Sequence, residues 1–535
     1  MSTSTPIDTF VRDHLPPAEQ WPEFIFERPE LQFPQRLNAV VPLLDDAVAG
    51  GHAARPAILG AGIRWSYGQL QQLVNRIARV LVEDLGLIPG NRVLLRGANS
   101  PMLAACWLAV LKAGGVAVGT MPLLRAKELG DIIRIANISH ALCDATLADE
   151  LDLAHGLETT LAHCLLFGTD GELEQRAATK AADFSAVDTA GTDPALIAFT
   201  SGTTGVPKGT VHFHRDVMAM CEVFPRHCLK PTQDDVFVGT PPLAFTFGLG
   251  GLLCFPLWAR ASTVLLEKLA PEPLLQAIQD YRATICFTSP TAYRQMAGLV
   301  SKYDLGSLKK CVSAGEALPT DTRDKWRDAS GIDIHDGIGG TEVIHIYMAS
   351  SPDDYRPGAV GRMLPGYRGM IVDDDMHPLP VGEVGKLAIK GPTGCRYLSD
   401  PRQTDYVRDG WNLPGDAFHM DADGYYYYHA RIDDMIVSSG YNIASPEVEW
   451  ALLAHPAVAE CGVIGAPDEA RGQIVKAFVV LKPEFRPGNA LATELQNFVK
   501  NTVAPYKYPR AIRFVDTLPR TETGKLQRYR LKALR

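Results

Sequence analysis

The residues best suited to do chemistry form one short segment rich in glycine and hydroxyl side chains. It follows an apolar stretch, Ala195–Phe199, and ends in a proline, a lysine and a further glycine. Glycines let a backbone approach a ligand closely, while successive amides and hydroxyls donate hydrogen bonds to phosphate oxygens. The segment therefore predicts a polyphosphate site, whose candidate residues are Thr200, Ser201, Gly202, Thr203, Thr204, Gly205 and Lys208.

This segment differs from a Walker A loop, which ends in Gly-Lys-Ser/Thr. Here Pro207 precedes the lysine and Gly209 follows it. A flexible surface loop is the plain alternative. Flexible linkers, however, are rich in glycine and serine and seldom combine several threonines, a Pro-Lys pair and a preceding buried strand. We therefore keep the phosphate-binding interpretation.

Helices alternate with short apolar strands on both sides of this segment. Ser66 and Gln69 predict a capping box at the start of one helix, after which apolar residues recur at helical spacing up to Leu81. The stretch Val93–Leu95 then predicts a strand. This alternation predicts α/β layers around a largely parallel sheet, and such sheets bind ligands at the carboxyl ends of their strands.

The same helix–strand unit recurs along the chain. A helix over Met102–Lys112 leads to a strand at Val116–Val118, and a helix over Pro273–Tyr281 leads to a strand at Thr284–Phe287. The fold class predicted for the larger part of the chain is therefore α/β, with layered α/β subdomains.

Glycine, proline and aspartate become dense beyond about residue 356, and the apolar runs become short. This composition predicts a small antiparallel β region. From Asp433 onward the chain predicts a compact α+β unit, with a helix that begins at Pro446 and a strand at Val475–Leu481. We therefore divide the chain into a large N-terminal domain, residues 1–432, and a small C-terminal domain, residues 433–535.

Composition excludes several classes of protein. The chain has 535 residues and a net charge of −9, so overall charge gives no case for nucleic-acid binding. Its ten cysteines form no C-x-x-C pair, which argues against a zinc ribbon and favours a reducing cytoplasm. The first residues lack the apolar core of a secretory signal, and the most apolar stretch, Met102–Val118, is interrupted by Lys112. We expect a cytoplasmic monomer or homodimer without nucleic-acid or membrane partners.

The segment from Thr200 to Lys208 resembles the phosphate loop of the adenylate-forming superfamily. That superfamily includes acyl- and aryl-CoA ligases, firefly luciferases and the adenylation domains of peptide synthetases. Further segments resemble its other motifs in the same order along nearly the whole chain, and they are Ser313–Ala317, Asp336–Glu342, Trp411–Phe418, Arg431–Ile436 and Pro519–Lys525. Six motifs in one order are far more specific than any of them alone.

The resemblance implies a role for each matching residue. Thr341, Glu342 and Lys525 would be catalytic, and Glu342 would also bind Mg²⁺, a hard cation that prefers carboxylate oxygens. Asp433 would be the hinge of the C-terminal domain, and Gly440 and Tyr441 would line the thiol tunnel. The nucleotide would be bound by Gly315, Glu316, Ala317, Asp336, Gly337, Ile338 and Gly339, with Asp416 and Arg431 at the ribose.

These roles fit the two-step chemistry that the resemblance implies. A carboxylate is a poor acyl donor, so it first attacks the α-phosphate of ATP to give an acyl-adenylate and pyrophosphate. Because charge builds on phosphoryl oxygens, catalysis is mainly positioning and electrostatic stabilisation. In the second step the thiol of CoA attacks the adenylate, where Lys525 has no part, so the C-terminal domain is expected to be a mobile lid that swings about Asp433.

Some positions depart from the superfamily pattern. Ile338 replaces the usual aromatic residue before Gly339, and it can cover an adenine face without π-stacking. Pro414 replaces a threonine before Gly415, and Ala430 replaces a glycine before Arg431. The departures concern adenine and ribose affinity rather than the reaction itself.

The acid-binding pocket is expected around Pro241–Gly250. Its candidate residues are Ala244, Phe245, Thr246, Phe247, Gly339 and His345. The stretch lacks the aspartate with which peptide-synthetase domains meet an α-ammonium group, and Phe245 stands where many acyl-CoA ligases carry histidine. An apolar slot between Phe245 and Phe247 would suit an aromatic ring. Plain core packing of both rings, and of His345, is the alternative.

Two longer segments resemble 2-aminobenzoate-CoA ligases most, with benzoate-CoA ligases as their close relatives. They are residues 286–296 and 438–481. The expected reaction is therefore an aromatic acid, best 2-aminobenzoate, with ATP and CoA, giving aryl-CoA, AMP and diphosphate. Thr246 and His345 are the candidates for meeting the ortho amino group.

Other functions stay open at this stage. One is a benzoate- or other substituted-benzoate-CoA ligase, and another is an adenylation enzyme that loads a separate carrier protein, since only ten residues follow Lys525. A non-catalytic nucleotide sensor is disfavoured because Glu342, Asp416 and Lys525 are all retained. A hydrolase is disfavoured because the chain has no G-x-S-x-G elbow.

Overall fold

The computed structural model divides the chain into two compact units. The first comprises Met1–Gly369 and Ile389–Pro414, and the second comprises Met370–Ala388 and Gly415–Arg535. The residues described are 6–60, 62–156, 158, 160–168, 171–200, 207–438, 441–468, 471–503, 505–520 and 526–534, and for 433, 437, 441, 442, 472 and 505 only the backbone is described.

The first unit contains a six-stranded sheet that is parallel except at one edge. Its strands, in spatial order, are His163–Phe167, His140–Asp144, Arg92–Arg96, Val116–Thr120, Pro194–Thr200 and Lys208–Phe213. Only the last pair is antiparallel among these neighbours. Residues such as Leu94, Val118 and Ile197 form its buried core. Parallel strands buried on both faces are expected to be nearly continuous apolar runs, and the central strands Val116–Thr120 and Pro194–Thr200 fit this pattern best.

A nine-stranded sheet makes up the other half of the first unit. Its strands, in spatial order, are Arg362–Met363, Ile346–Ser350, Ile334–Gly339, Lys310–Ser313, Ile285–Thr288, Val236–Gly239, Ser262–Val264, Pro56–Gly60 and Ile63–Ser66. The central strands are parallel, and antiparallel strands close both edges. Together the two sheets confirm the predicted α/β layers with largely parallel strands.

Helices cover these sheets in the first unit. The α-helices are Phe10–Asp13, Tyr67–Arg79, Pro101–Lys112, Ala126–Ile135, Ala148–His155, Glu172–Ala178, His214–Phe224, Thr246–Leu249, Phe255–Trp258, Pro271–Tyr281, Pro290–Ala297, Thr320–Ser330 and Gln403–Tyr406. The predicted capping box is present, because the Ser66 hydroxyl accepts from the Gln69 amide at 3.2 Å and Gln69 accepts from the Ser66 amide at 2.9 Å.

Short strands follow residue 361, as the composition predicted, and the pairs among those from Gly385 to Arg431 are antiparallel. They are Arg368–Val372, Gly385–Lys390, Val407–Arg408, Trp411–Asn412, Asp416–Met420 and Tyr426–Arg431. The boundary between the two units passes through this region.

The second unit contains a five-stranded sheet of its own. Its strands are Tyr441–Ala444, Met435–Ser438, Gly472–Leu481 and Val458–Asp468 in spatial order, with Ala511–Phe514 parallel to Gly472–Leu481. Its helices are Ser445–Leu453, Asn489–Thr502 and Arg528–Ala533. A separate apolar cluster that includes Val463, Val475 and Leu495 forms the core. The prediction of a small α+β C-terminal domain is confirmed.

The compact second unit extends beyond the predicted C-terminal domain, since it includes residues 370–388 and 415–432. Compactness does not test a hinge, so the boundary between residues 432 and 433 stays a prediction. Among the described residues, no helix combines the length and the apolar character needed to cross a bilayer.

Candidate functional site

The predicted phosphate loop begins and ends on two neighbouring strands. Thr200 and Lys208 are cross-strand partners, so the two ends of the intervening segment lie side by side. The Thr200 hydroxyl oxygen is buried and has no hydrogen-bond partner within the described ranges. Ser201, Gly202, Thr203, Thr204 and Gly205 lie outside the described residues.

The predicted adenine site lies at the carboxyl ends of two parallel strands. Ser313 and Asp336 are register partners on these strands, and Gly315, Glu316 and Ala317 follow the first. Burial raises the pKa of Asp336 to about 7, and its Oδ1 atom has no hydrogen-bond partner in the described part of the chain. Glu316 accepts a hydrogen bond from the Thr291 hydroxyl at 2.7 Å.

The predicted catalytic pair lies on a tight turn. Thr341–Val343 form a 3₁₀ helix directly after the strand that contains Gly337, Ile338 and Gly339. Ile344 follows with φ of 67°, a conformation that is a genuine outlier for a β-branched residue. Such strain persists only where the surroundings determine it, and it is common at functional sites.

The Glu342 carboxylate is bound by a tyrosine that the sequence analysis did not select. The Tyr397 hydroxyl donates to Glu342 Oε1 at 2.7 Å and accepts from the Lys208 ammonium at 2.8 Å. Lys208 Nζ itself lies 3.8 Å from Glu342 Oε1. Burial raises the pKa of Tyr397 far above its ordinary value, so the hydroxyl keeps its proton.

The same carboxylate can accommodate a hard cation. Its Oε2 atom accepts no hydrogen bond from the residues that the structure describes, and 13% of the Glu342 side chain is exposed. A free carboxylate oxygen beside a threonine is the type of ligand that Mg²⁺ prefers. The residues present therefore fit the ion that the resemblance implies.

A buried histidine holds the backbone of the turn at Thr341–Val343, the predicted catalytic turn. His212 Nε2 donates to the Thr341 carbonyl oxygen at 2.7 Å, and the ring is fully buried. Its Nδ1 atom lies 3.9 Å from Asp216 Oδ2. Asp216 in turn forms a fully buried ion pair with Arg396. Because a carbonyl can only accept, the contact places a proton on Nε2.

These side chains share one face of a short ladder. Tyr397 is the bridge partner of Thr210, flanked by hydrogen bonds from the Val211 amide to the Arg396 carbonyl and from the Leu398 amide to the Gly209 carbonyl, each 2.8 Å long. Side chains alternate along a strand. Lys208, Thr210 and His212 therefore face the same side as Tyr397, and Arg396 faces the other side, where it packs over Phe213 at 3.8 Å.

The predicted acid pocket places His345 among aromatic rings. Its ring centroid lies 4.6 Å from that of Phe255 and 5.7 Å from that of Phe247. Gly250 is necessary for this packing, because a Cβ there would lie 2.5 Å from the His345 ring. Burial lowers the pKa of His345 to about 3, so the ring is neutral near pH 7. Phe245 is half-buried at the start of helix Thr246–Leu249.

A small cavity lies beside this helix. Its volume is about 20 Å³, which is room for roughly one water molecule. The lining includes Ala244 and Thr246 together with Trp107, Ala117 and Leu249. The cavity is too small for an aromatic acid, so the predicted slot between Phe245 and Phe247 stays a prediction.

The predicted ribose residues are paired within the second unit. Asp416 and Arg431 are register partners, and Arg431 Nη1 lies 3.2 Å from Asp416 Oδ1. Gly415 has a φ of +83°, and a Cβ there would lie 2.8 Å from Arg431. The two residues thus lie together, and their contact with a ribose stays a prediction.

Several further candidates cannot be placed. Lys525 and Gly440 lie outside the described residues, as do the side chains of Asp433 and Tyr441. The described residues that flank Lys525 do have partners. Arg520 and Leu526 form an antiparallel β-bridge, and Arg528 Nη2 forms an ion pair with Glu449 at 2.6 Å.

The structure brings the candidate residues Lys208 and Glu342 together, with Thr341 next to Glu342 on the same turn. It adds Tyr397 and His212, which the sequence analysis missed. One signal was present: Lys208, Thr210 and His212 are polar residues at alternate positions of an otherwise apolar strand. Tyr397 offered no such signal, because its partner in the ladder lies far away in the sequence.

Comparison with known proteins agrees with this fold. The AMP-binding enzyme family matches residues 45–397, and the C-terminal domain of AMP-binding enzymes matches residues 447–525. The chain therefore belongs to the AMP-binding enzyme family, the adenylate-forming enzymes that the motifs indicated.

Individual relatives narrow the class. The chain is 36% identical to benzoate–CoA ligase from Thauera aromatica over 94% of its length and 97% of that protein. It is 32% identical to a crystal structure of the anthranilate CoA ligase AuaEII in complex with anthranoyl-AMP, with a TM-score of 0.89, covering 95% of this chain and 99% of that one. A benzoate CoA ligase from Burkholderia xenovorans LB400 gives 30% identity and a TM-score of 0.84, covering 93% and 100%.

The protein is thus an AMP-forming acid–thiol ligase of the aryl- and acyl-CoA ligase class, which uses ATP and CoA.

Proposed function

We propose that the enzyme is an aryl-CoA ligase whose preferred acid is 2-aminobenzoate. It converts this acid, ATP and CoA to 2-aminobenzoyl-CoA, AMP and diphosphate through an acyl-adenylate. The observation that carries the proposal is the state of His345, a buried neutral histidine in the predicted acid pocket with one ring nitrogen free of partners among the described residues.

The protonation of His345 follows from its contacts. Nε2 lies 3.4 Å from the Phe247 carbonyl oxygen, which can only accept, so Nε2 carries the proton and Nδ1 is a bare acceptor. Leaving a buried acceptor unsatisfied costs roughly 1–3 kcal/mol. An ortho amino group has an N–H to donate to Nδ1, whereas the C–H of benzoate has none. The surrounding phenylalanines suit the ring itself.

The comparisons support both this acid and one alternative. The similar structure with anthranoyl-AMP favours 2-aminobenzoate, whereas the 36% identity to a benzoate–CoA ligase favours benzoate as the second candidate. The two differ by how one ortho substituent is met. In an apolar pocket, kcat/KM for two such acids differs by only about 10–200-fold. A pocket with a dedicated hydrogen-bond partner can make the difference about 10⁴–10⁵-fold.

The first half-reaction uses residues on both sides of the predicted phosphate loop. Thr200, Lys208 and the intervening hydroxyls and amides bind the phosphates, and Asp336 with Gly315, Glu316 and Ala317 binds the adenine. Glu342 and Thr341 would hold a magnesium ion, which neutralises phosphate charge when bound. Asp416 and Arg431 meet the ribose.

Lys525 serves the first half-reaction alone. It bridges the carboxylate and the α-phosphate, and residues 433–535 then turn about Asp433 so that Gly440 and Tyr441 line the path of the CoA thiol. This part of the proposal rests on the resemblance of Arg431–Ile436 and Pro519–Lys525 to the superfamily motifs.

The test is pyrophosphate release across a panel of acids, with and without CoA. The panel contains 2-aminobenzoate, benzoate, salicylate, a medium-chain fatty acid and an α-amino acid. We expect strong turnover of 2-aminobenzoate that requires CoA. Activity with the fatty acid alone would refute the aromatic pocket, and adenylation without a thioester on adding CoA would favour transfer to a carrier protein.

Matched variants locate the contact with the amino group. His345→Leu keeps the volume of the side chain and removes the acceptor, so kcat/KM should fall for 2-aminobenzoate far more than for benzoate. Thr246→Val does the same for the second candidate residue. Equal losses on both acids in a variant would show that its residue does not contact the amino group.

A further inference from the structure

The carboxylate of Glu342 is hydrogen-bonded by a residue that lies outside the six motif segments of the sequence analysis. Tyr397 lies on a segment that pairs with strand Lys208–Phe213, through an antiparallel bridge between Tyr397 and Thr210. Only 1% of its surface is exposed. The amide of Tyr397 donates to Gln403 Oε1 at 2.9 Å, and its ring meets that of Tyr406 edge-on at 5.8 Å. Its hydroxyl is therefore a rigid group.

That hydroxyl occupies the space between a cation and an anion of the predicted site. It accepts from Lys208 Nζ at 2.8 Å and donates to Glu342 Oε1 at 2.7 Å, while the direct separation of Nζ and Oε1 is 3.8 Å. The Lys208 ammonium also lies 4.7 Å from the centre of the Tyr397 ring. The tyrosine thus bridges the two charged groups by hydrogen bonds, and their charged atoms stay too far apart for a direct hydrogen bond.

We propose that Tyr397 is a positioning residue for adenylation: its hydroxyl orients the Glu342 carboxylate toward the magnesium ion and keeps Lys208 from hydrogen-bonding to that carboxylate directly. The inference rests on the proposed assignment of Glu342 to the ion. Tyr397 leaves Oε2 as the oxygen that the cation can take, because its own hydrogen bond occupies Oε1.

The geometry gives a physical reason for this role. Carboxylates that ligate a metal are usually fixed by an outer hydrogen-bond partner, and removal of such a partner costs about 10–100-fold in metal affinity or activity. Without the hydroxyl, Lys208 can move onto Oε1, since only 3.8 Å separates them. Lysine then competes with the cation for the carboxylate and is withdrawn from the phosphates.

The experiment compares Tyr397→Phe with Glu342→Gln and with wild type. Binding of Mn²⁺ to the enzyme with a non-hydrolysable ATP analogue is followed by electron paramagnetic resonance, which needs no turnover. We expect Tyr397→Phe to weaken Mn²⁺ binding by about 10–100-fold. The magnesium concentration for half-maximal pyrophosphate exchange should rise in parallel, while thioester formation from preformed acyl-adenylate stays near the wild-type rate.

Tyr67→Phe is the matched control. The Tyr67 hydroxyl is also buried and donates to a backbone carbonyl, that of Ala261, at 2.7 Å, so its loss reports the general cost of removing a buried tyrosine hydroxyl. It should leave Mn²⁺ binding unchanged. A second test adds Lys208→Met, after which Tyr397→Phe should cost less than it does with Lys208 present.

The outcomes separate the inference from the assignment beneath it. If Glu342→Gln weakens Mn²⁺ binding and Tyr397→Phe does not, the role of Tyr397 is refuted. If Glu342→Gln itself has no effect, the assignment of the ion to Glu342 fails. Equal costs of Tyr397→Phe with and without Lys208 would refute the separation of the two charges.

Discussion

Removal of the His212 side chain should cripple the first half-reaction and spare the second. The Thr341 carbonyl accepts from His212 Nε2 at 2.7 Å inside the protein, and a buried acceptor left without its donor costs about 1–3 kcal/mol. The strained φ of 67° at Ile344 stores energy of similar size, again about 1–3 kcal/mol. Because the two are comparable, loss of the donor lets the catalytic turn relax.

The size of the effect follows from these energies. At about 1.4 kcal/mol for each tenfold change in rate, His212→Leu should lower acid-dependent pyrophosphate exchange by about 5- to 150-fold. Thioester formation from preformed acyl-adenylate should stay within about twofold of wild type, since the proposed role of Thr341 and Glu342 is to bind the phosphates and magnesium of the first half-reaction. Both half-reactions are measured on the same protein preparation, with the melting temperature recorded.

His212→Gln is the matched control. The glutamine amide nitrogen can occupy the position of Nε2 and donate to the same carbonyl, so much of the exchange rate should return. Equal losses in the leucine and glutamine variants would show that the ring matters for packing alone. An unchanged exchange rate in His212→Leu would refute the claim that this hydrogen bond holds the turn.

Three further predictions follow from the charged and titratable groups. Lys525→Ala should lower adenylation by at least about 10²–10³-fold and spare thioester formation from preformed adenylate; equal loss in both half-reactions would contradict its proposed role. Arg396→Met removes the guanidinium that pairs with the buried Asp216 carboxylate. The free energy of unfolding, measured by urea titration, should therefore fall by about 3–5 kcal/mol. Arg368→Met, at the exposed pair with Glu27, should change it much less. Burial lowers the pKa of His214 and His335 to about 4 and that of His345 to about 3. Between about pH 6.5 and pH 4.5 the unfolded chain therefore binds protons at these histidines that the folded protein does not bind. Stability should therefore fall on acidification and fall less steeply in His345→Leu; a wild-type protein equally stable at both ends of that range would contradict these shifts.

Local patterns in the sequence were sufficient for much of the fold. Ser66 and Gln69 form a contact three residues apart, which the capping-box pattern reports directly. The helix predicted over Met102–Lys112 is observed at Pro101–Lys112, and the strand predicted at Val475–Leu481 is observed at Gly472–Leu481. Periodicity reports such elements because apolar residues recur along the chain at the spacing of the face that each element buries.

The candidate site was only partly predictable, because its support comes from distant pairings. Lys208 and Glu342 were found through motif residues, but the tyrosine between them comes from a segment that pairs with Thr210 across 187 positions of sequence. The local sequence around Arg396 and Tyr397 gives no indication that this segment pairs with Thr210. The acid pocket was limited in the same way, since the rings of Phe247 and Phe255 reach His345 from two helices that lie about 90 positions before it in the sequence.

The buried ion pair links these distant parts into one support. An ion pair in the protein interior contributes little to stability, because desolvation offsets the attraction. Here Asp216 lies three residues after the end of the strand that contains His212, and its carboxylate accepts a hydrogen bond from the Phe213 amide at 2.9 Å. Its partner Arg396 directly precedes Tyr397. The pair therefore fixes the register between the two strands, and a shift by one residue would turn His212 and Tyr397 away from the catalytic turn. Its contribution is geometric: it holds the donor to Thr341 and the donor to Glu342 on the same face.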